Sequence, residues 1–251
     1  MMTEYRAELH LHTVLSPCAE VEMIPPLIIE KAVEMGIQLL AVTDHNSTRN
    51  VAAVIQAAEG TGIHVLPGME LQTREEVHLL CLFDTMDQAR QWQAIVDETL
   101  PQIDNVEDHF GPQYIVDSTG DYIKSESQML AVSSDMTLDE AIDKTHLLGG
   151  LAIPSHVDRP SYSLLANLGF IPPGFKADAL EVYRKFSPNP GYDLYPDLKN
   201  WPLLVNGDCH MLHQIEGRMS YMIESPGIEE IRKALRNEDG RKVILPWTTN
   251  P

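Results

Sequence analysis

Short apolar runs alternate with longer amphipathic stretches along the amino-terminal part of the chain. Residues 5–11, 37–43 and 63–66 are apolar runs of the length expected for buried strands. Residues 27–35 and 50–59 show helical spacing, and a glycine follows each of these stretches. Strands that alternate with helices in this way predict a parallel sheet wrapped by helices.

The middle of the chain interrupts this alternation. Residues 69–83 have the pattern of a β-hairpin, with His78 on its second strand. Residues 84–145 then contain two predicted helices on either side of a small hairpin at residues 113–124. Thr137 opens the second of these helices with capping-box spacing. We interpret residues 84–145 as an insertion, because their pattern does not repeat that of the flanking chain.

The strand-and-helix pattern returns after the insertion. The sequence predicts one more helix, at residues 227–236, and five more strands, at residues 151–153, 179–182, 203–205, 221–223 and 243–245. A chain of 251 residues is long enough to form one α/β barrel. We therefore predict an α/β fold with a single barrel domain over residues 1–251 that contains the inserted segment.

Charge and cysteine content narrow the class of protein. The net charge of −19 argues against binding to long duplex nucleic acid, so any nucleic-acid substrate should be short. The cysteines, Cys18, Cys81 and Cys209, are odd in number and widely spaced, as is typical of reduced thiols. The amino terminus has no signal-peptide pattern, and no apolar run reaches membrane-spanning length. These features predict a cytoplasmic protein without membrane association, whose oligomeric state the sequence does not indicate.

Most of the candidate chemistry lies just beyond the carboxyl ends of the predicted strands. In a barrel of parallel strands these ends form one rim, where active sites are found. Each polar residue there could also face water or cap a helix, but the whole set on one rim favours a metal site. The residues are His10, His12, Asp44, His45, Glu70, His156, Asp208 and His210.

The order of these residues resembles that of the polymerase and histidinol phosphatase (PHP) family of metal-dependent phosphoesterases. The matching motifs are His10-Leu11-His12-Thr13, Thr43-Asp44-His45-Asn46, Gly68-Met69-Glu70, Val77-His78-Leu79-Leu80, Ser155-His156 and Gly207-Asp208-Cys209-His210. They span almost the whole chain outside the insertion. The resemblance implies a distorted seven-stranded (β/α) barrel of the PHP type that binds two or three metal ions.

The resemblance also implies how the ligands are divided among the ions. One ion would be held by His10, His12, Glu70 and Asp208, a second by His45 and His210, and a third by Glu70, His78 and His156, with Glu70 as the bridge. Asp44 is expected to orient a ligand rather than bind metal itself. Imidazole and carboxylate ligands together suit manganese, iron or zinc better than magnesium, and the sequence does not choose among the three.

One position departs from the family pattern. Family members commonly place an Asp or His five or six residues after the His-x-His pair to complete the second site. This chain has Pro17 and Cys18 there. A Cys18 thiolate could substitute as the ligand, or Cys18 could be a small structural residue, in which case Glu20 is the alternative ligand.

Few basic residues lie near the predicted rim. Arg159 follows His156 by three residues and resembles the family arginine that grips a substrate phosphate, so we expect bidentate phosphate contact from it. A guanidinium is not a metal ligand, so loss of Arg159 should leave the ions in place. Lys185 and Arg218 are weaker candidates for substrate binding and could instead form surface ion pairs.

The favoured hypothesis is metal-dependent hydrolysis of a phosphate ester, such as a small phosphomonoester, a nucleotide or a short oligonucleotide. A hydroxide held by the ions would attack phosphorus, with Glu70, Asp208 and Arg159 as the central catalytic residues. Two alternatives stay open. An amidohydrolase would act on C–N bonds, but Glu70 stands where the PHP family places a bridging carboxylate, and the sequence has no clear lysine candidate for that role. A non-catalytic metal-binding regulatory module would keep the barrel and lose the chemistry.

Overall fold

Eleven β-strands form the sheets of the computed structural model, which describes residues 1–248. They are β1 (Thr3–Glu8), β2 (Leu39–Val42), β3 (His64–Gln72), β4 (His78–Leu82), β5 (Tyr114–Val116), β6 (Tyr122–Ser125), β7 (Leu151–Pro154), β8 (Leu180–Glu181), β9 (Leu203–Leu204), β10 (Met219–Ile223) and β11 (Lys242–Ile244). Seven of them form the main sheet, in the order β11-β10-β1-β2-β3-β4-β7. Every predicted strand therefore has a counterpart within this part of the chain.

The main sheet is mixed, which corrects the prediction of a parallel sheet. Strands β1, β2 and β3 are parallel, whereas β4 is antiparallel to β3 and to β7, and β10 is antiparallel to β1. The physical reason at β4 is the connection from β3, because residues 73–77 are too few for the crossover that a parallel pair needs. The same short turn confirms the predicted hairpin.

The sheet curls, and β8 and β9 complete the curl. The backbone of Asp178 donates to the carbonyl of Ala152 at 3.0 Å, which joins the start of β8 to β7. Strand β9 pairs with β8 in parallel, and Cys209 beyond β9 forms a parallel bridge with Leu11 beyond β1. The ring β1-β2-β3-β4-β7-β8-β9 thus has seven strands, which confirms the predicted distorted (β/α) barrel. Strands β10 and β11 extend the sheet outside β1.

Eight α-helices accompany these strands in residues 1–248. They are α1 (Pro25–Glu34), α2 (Val51–Ala57), α3 (Met86–Asp97), α4 (Glu107–Phe110), α5 (Leu138–Leu147), α6 (Leu164–Asn167), α7 (Pro188–Leu194) and α8 (Ile228–Leu235). The sequence predicted five of these helices, α1, α2, α3, α5 and α8, and missed α4, α6 and α7. None of the helices in the described part of the chain combines the length and apolar character needed to cross a bilayer.

Segment 84–145 is built onto the barrel. Helices α3 and α5 each begin with a capping box, at Thr85 and Thr137, and bury one face against the sheet. Trp92 of α3 is fully buried and its ring lies 6.1 Å from that of Phe83. The side chain of Asn46 donates to the carbonyls of Leu130 and Val132, so the same segment also supports the rim. We retain the proposal of one domain over residues 1–251, of which 249–251 lie outside the described residues.

Candidate metal centre

His10 and His12 lie just beyond β1 on a segment that remains extended. The backbone of His12 donates to the carbonyl of Cys209 at 2.9 Å, and Cys209 donates to the carbonyl of His10 at 3.0 Å. Side chains alternate along such a segment, so the two imidazoles project to one side while Leu11 enters the core. Both imidazoles are fully buried and their Nε2 atoms are 3.2 Å apart. The pair can therefore face a single ion.

The carboxylate of Glu70 lies at the centre of the site. Five histidine nitrogens lie 3.1–3.3 Å from its oxygens, those of His10, His78 and His156 around Oε1 and those of His12 and His45 around Oε2. Neither oxygen has a hydrogen-bond partner among residues 1–248, although Glu70 is only 1% exposed. Buried polar atoms are normally satisfied, so this arrangement fits a carboxylate whose partners are metal ions.

Asp208 provides the second carboxylate. Its Oδ1 lies 3.3 Å from Nε2 of His10, 3.6 Å from Nε2 of His12 and 3.5 Å from Nδ1 of His210. The backbone of Asp208 is left-handed, with φ of 49°, and that of His156 has φ of 33°. Such values are uncommon outside glycine and cluster at functional sites. The strain lies at residues that the sequence had already selected as ligands.

Three groups of side chains are close enough to hold an ion each. Within each group the ligand atoms lie within 4.8 Å of one another, and the groups are His10 with His12 and Asp208, His12 with His45 and His210, and His45 with Glu70 and His78. The first two resemble the predicted sets, with His12 added to the second. In the third, His45 stands where His156 was expected, although Nε2 of His156 lies 3.2 Å from Glu70.

An open cavity with a volume of about 400 Å³ leads to this site. Its size is within the range usual for small-molecule sites. It is lined by Cys18, His45, Glu70, Gln72, His78, Ala131, His156, Arg159, Tyr162, Tyr183, Arg184, Asp208, His210 and Gln214. Most of the predicted ligands thus meet at one opening, with two arginines beside them.

Comparison with known protein families agrees with this arrangement. The model of the PHP domain matches residues 8–169 of the chain, which is more than half of its length. The chain belongs to the PHP domain family. This confirms the family that the sequence motifs resembled.

Relatives of this PHP domain include nucleic-acid enzymes. The chain is 31% identical over 80 residues to the 5'-3' exoribonuclease Rnm of Escherichia coli (strain K12), a match that covers 30% of this chain and 26% of that protein. The chain thus matches about a quarter of the length of this curated relative.

Solved structures share the fold over nearly the whole chain. The lesion-specific endonuclease PfuEndoQ from Pyrococcus furiosus has a TM-score of 0.71 at 22% identity, covering 96% of this chain and 58% of that one. A proposed metal-dependent phosphoesterase from Bifidobacterium adolescentis has a TM-score of 0.56 at 16% identity, covering 95% and 98%. At these sequence identities, the structural similarity shows that the fold is shared and nothing more.

Buried carboxylates and a serine orient the His-x-His pair of this PHP domain. Nδ1 of His10 lies 2.9 Å from Oε1 of Glu181, and Nδ1 of His12 lies 3.0 Å from Oγ of Ser16. Ser16 in turn donates to Oδ1 of Asp44 at 2.7 Å. Because Nδ1 of His10 and Nδ1 of His12 both make these hydrogen bonds, Nε2 of each ring faces the carboxylates of the site. Such outer contacts fix the ring orientation of metal-binding histidines, which supports the predicted orienting role of Asp44.

The electrostatics of the site favour bound cations. Burial opposes a charge on Glu70, yet His78 and His10 hold the pKa of this carboxyl well below its usual value. Burial likewise disfavours a charged His10, but Glu181 and Glu70 raise its pKa well above the usual value. Burial lowers the pKa of His78 to about 4, which keeps this imidazole neutral and able to act as a ligand. The imidazoles and carboxylates present therefore suit divalent transition-metal ions.

Cys18 faces the cavity beside His45 and His210. Cys18 is exposed to solvent at the cavity; partial desolvation raises the pKa of its thiol, but His45 and His210 have the larger combined effect and lower it to about 5. Cys18 therefore lines the cavity together with the two histidines predicted for the second site, and it does not lie in the apolar core. Glu20 does not line the cavity among the described residues, and its backbone donates to the carbonyl of His210 at 2.9 Å.

The cationic side chains differ from those that the sequence selected. Arg159 lines the cavity as expected, but its Nη1 donates to Oδ2 of Asp208 at 2.8 Å. In the part of the chain that the structure describes, Lys185 and Arg218 do not line the cavity, and Arg184 does. Strand β8 ends at Glu181, so strand alternation no longer indicates which of the following residues turns inward. Arg218 lies behind Arg184 and donates to its carbonyl at 3.4 Å.

Sequence reasoning missed two buried acids beneath the ligands. Glu181 lies within the strand predicted at residues 179–182, and Glu8 precedes the His-x-His pair. Both are essentially fully buried, and burial raises the pKa of Glu8 to about 8. A charged residue inside each apolar run was the available signal. Ser16 and Arg184 carried no such signal, because their roles depend on contacts with distant parts of the chain.

Proposed function

We propose that this chain hydrolyses a phosphate ester with two or three divalent transition-metal ions, manganese, iron or zinc. The observation that carries the proposal is Glu70, a buried carboxylate surrounded by five histidine nitrogens at 3.1–3.3 Å. The PHP domain family and its phosphoesterase and nuclease neighbours support the class of reaction. They do not specify the substrate.

The chain's own residues would position the ions and shape the site. His10, His12 and Asp208 would hold one ion, His45 and His210 a second, and Glu70 with His78 and His156 a third, with Glu70 shared. Ions bound in this way supply an activated water and charge neutralisation for phosphoryl chemistry. Glu181 and Ser16 hold the imidazole rings so that Nε2 faces inward. His45 and Cys18 line the cavity on the side of the second site.

Arg159 and Arg184 are the proposed phosphate-binding residues. Both line the cavity, and their guanidinium carbons lie 5.8 Å and 5.6 Å from the centroid of the Tyr183 ring. Stacking on this ring holds both cations on one wall while leaving donors for an anion. We assign Arg184 the role that the sequence gave to Lys185, because Lys185 is exposed and outside the cavity.

The substrate should be small or short. The cavity of about 400 Å³ admits a phosphomonoester, a nucleotide or the end of a short oligonucleotide. The net charge of −19 disfavours a long polyanion, whereas the two arginines and bound cations would attract a small anion locally. The relative named as a 5'-3' exoribonuclease makes short nucleic acid a reasonable member of the screen.

We propose Cys18 as the additional ligand at the second site. Its thiol lies beside His45 and His210, whereas Glu20 lies outside the cavity. Thiolate is a soft ligand that suits zinc better than manganese. The residue at this position would then influence which metal the chain retains.

The experiment is a screen of phosphomonoesters, nucleotides and short oligonucleotides with added manganese, iron or zinc. The blank is the His10→Ala/His12→Ala double variant, purified in the same way. Hydrolysis by the wild type and not by the blank supports the proposal. Equal activity in both would indicate a contaminant. Full metal content without hydrolysis of any phosphate ester would favour the C–N hydrolase or the non-catalytic module.

A further inference from the structure

The guanidinium of Arg159 contacts a proposed metal ligand directly. Its Nη1 donates to Oδ2 of Asp208 at 2.8 Å, in a pair whose side chains are 29% and 11% exposed. We infer that Arg159 is a positioning residue for Asp208, fixing this carboxylate so that one oxygen faces the ion. The inference rests on the proposed metal centre and does not depend on the phosphoester substrate. It replaces the expectation that the loss of Arg159 leaves metal binding unchanged.

The two oxygens of Asp208 have different surroundings. Oδ1 lies 3.3–3.6 Å from nitrogens of His10, His12 and His210, whereas Oδ2 is bound by Arg159. A charge-assisted hydrogen bond of this length restrains rotation of the carboxylate about its Cβ–Cγ bond. Asp208 is thereby held with a single oxygen toward the ion. Without Arg159, either oxygen or both could turn toward it.

Arg159 is itself held in place. Its backbone N–H donates to the carbonyl of His156 at 2.9 Å, and its carbonyl accepts from Oγ of Ser163 at 2.6 Å. Its guanidinium carbon lies 5.8 Å from the ring centroid of Tyr183. The arginine thus belongs to the turn that carries His156. Through it, this turn is tied to Asp208, which is 49 residues away in the sequence.

The carboxylates of Asp208 and Glu70 lie close together, so a nearby cation is favourable. Oδ1 of Asp208 and Oε1 of Glu70 both approach Nε2 of His10, at 3.3 Å and 3.1 Å. Two carboxylates at this separation repel each other, and a guanidinium on the far oxygen of one of them reduces the repulsion. Arg159 therefore lowers the cost of bringing both acids to the same ion.

The other donors of Arg159 remain available to a substrate. A guanidinium has five N–H donors, and no acceptor among residues 1–248 contacts Nε or Nη2 of Arg159 within hydrogen-bonding distance. The side chain lines the cavity. It can hold Asp208 with Nη1 and an anion with the rest. A role in metal positioning therefore adds to the proposed phosphate contact without excluding it.

The test is metal binding without any substrate. The full-length chain, freed of metal with a chelator, is titrated with Zn²⁺ and with Mn²⁺ by calorimetry. In Arg159→Ala, one binding event should weaken by about 10–100-fold, as expected for the loss of an outer contact to a ligand. Arg159→Lys should recover part of this loss. Arg74→Ala is the matched control, because Arg74 pairs with Asp135 and does not line the cavity, and the metal affinity of this variant should equal that of the wild type.

A double-variant comparison separates positioning from a general structural effect. If Arg159 acts through Asp208, then Arg159→Ala added to Asp208→Asn should weaken metal binding by less than about twofold further. Equal affinities in wild type and Arg159→Ala would overturn the inference while leaving the proposed function intact. Absence of metal binding by the wild type would overturn both. If Arg159→Ala does not fold, Arg159→Gln replaces it under the same criteria.

Discussion

Oε1 of Glu181 lies 2.9 Å from Nδ1 of His10, and both residues are buried. A carboxylate can only accept this hydrogen bond, so Nδ1 carries the proton and Nε2 is left to face Glu70 and Asp208. The contact joins β8 to the segment after β1, across the closure of the barrel. The curl of the sheet and the orientation of His10, the first proposed ligand, are therefore linked by one pair of residues.

Replacement of Glu181 should weaken metal binding. Glu181→Gln keeps the size of the side chain but can present its amide nitrogen to His10, so the ring loses its fixed orientation. We expect about a 10–100-fold loss of affinity for one ion, measured by competition with a chelator. Glu4→Gln, on the exposed start of β1, should leave the affinity unchanged. Unaltered affinity in Glu181→Gln would show that His10 is oriented by other contacts.

Cys18 should affect zinc more than manganese. If its thiolate completes the second site, then Cys18→Ser should weaken zinc binding by at least about tenfold, with little change for manganese. The measurement is the dissociation constant of each metal for both proteins. Cys209→Ala is the control, because its buried thiol donates to the carbonyl of Gln214 and not toward the site. Equal zinc affinity in wild type and Cys18→Ser would remove Cys18 from the ligand set.

Gly68 should tolerate no side chain. A Cβ at this position would lie 2.8 Å from Cδ2 of Leu82 and 2.9 Å from the carbonyl of Val42, so the neighbouring strands would have to move. We expect Gly68→Ala to destabilise the fold by about 1–3 kcal/mol in chemical denaturation and to lower metal content, because Glu70 follows two residues later. Leu82→Ala should lower the free energy of unfolding by less in the Gly68→Ala variant than in the wild type, because it removes one of the clashing side chains. If the losses of stability caused by the two substitutions were additive, the proposed clash would be contradicted.

The Glu230–Arg241 pair should contribute stability only above acidic pH. Hydrogen bonds from Arg241 are the main reason why the pKa of Glu230 is lowered from 4.5 to about 2. Because the pKa of Glu230 is lower in the folded state than in the unfolded state, its ionised form stabilises the fold at pH values above the unfolded-state pKa. This stabilisation is lost as the pH falls from about 4.5 to about 2. Glu230→Gln should lower Tm by about 2–4 °C at pH 7 and by much less near pH 2.

The control for this pair is Glu229→Gln, one position earlier in α8, where the carboxylate is 65% exposed and pairs with Arg232. Its Tm should change little at either pH, since exposed pairs contribute little. A Tm difference for Glu230→Gln that is the same at both pH values would contradict the titration argument.

The positions of the candidate ligands in the fold could be predicted because these residues follow strand ends. Apolar runs locate those ends, and the motifs around His10, His45 and Asp208 stand directly after them. The strand bounds were less accurate. The first strand was predicted to reach residue 11, but β1 ends at Glu8, since the extended segment beyond it makes only an isolated bridge to Cys209.

Features that depend on distant contacts could not be predicted. Glu181 meets His10 only because the barrel curls until β8 approaches the end of β1. Arg159 was expected to face a substrate, and its contact with Asp208 joins residues 49 positions apart. The hairpin pattern indicated the reversed direction of β4, but nothing in the sequence indicated that β10 runs antiparallel to β1, because local periodicity gives no strand direction.

The central claim is that Glu70 is a ligand shared between ions, and metal content tests it most directly. Elemental analysis of purified wild type should give two or three transition-metal ions per chain. Glu70→Gln, which keeps the shape of the side chain but removes its charge, should lose occupancy at more than one site while circular dichroism shows the folded protein. Full metal content in Glu70→Gln would contradict the account.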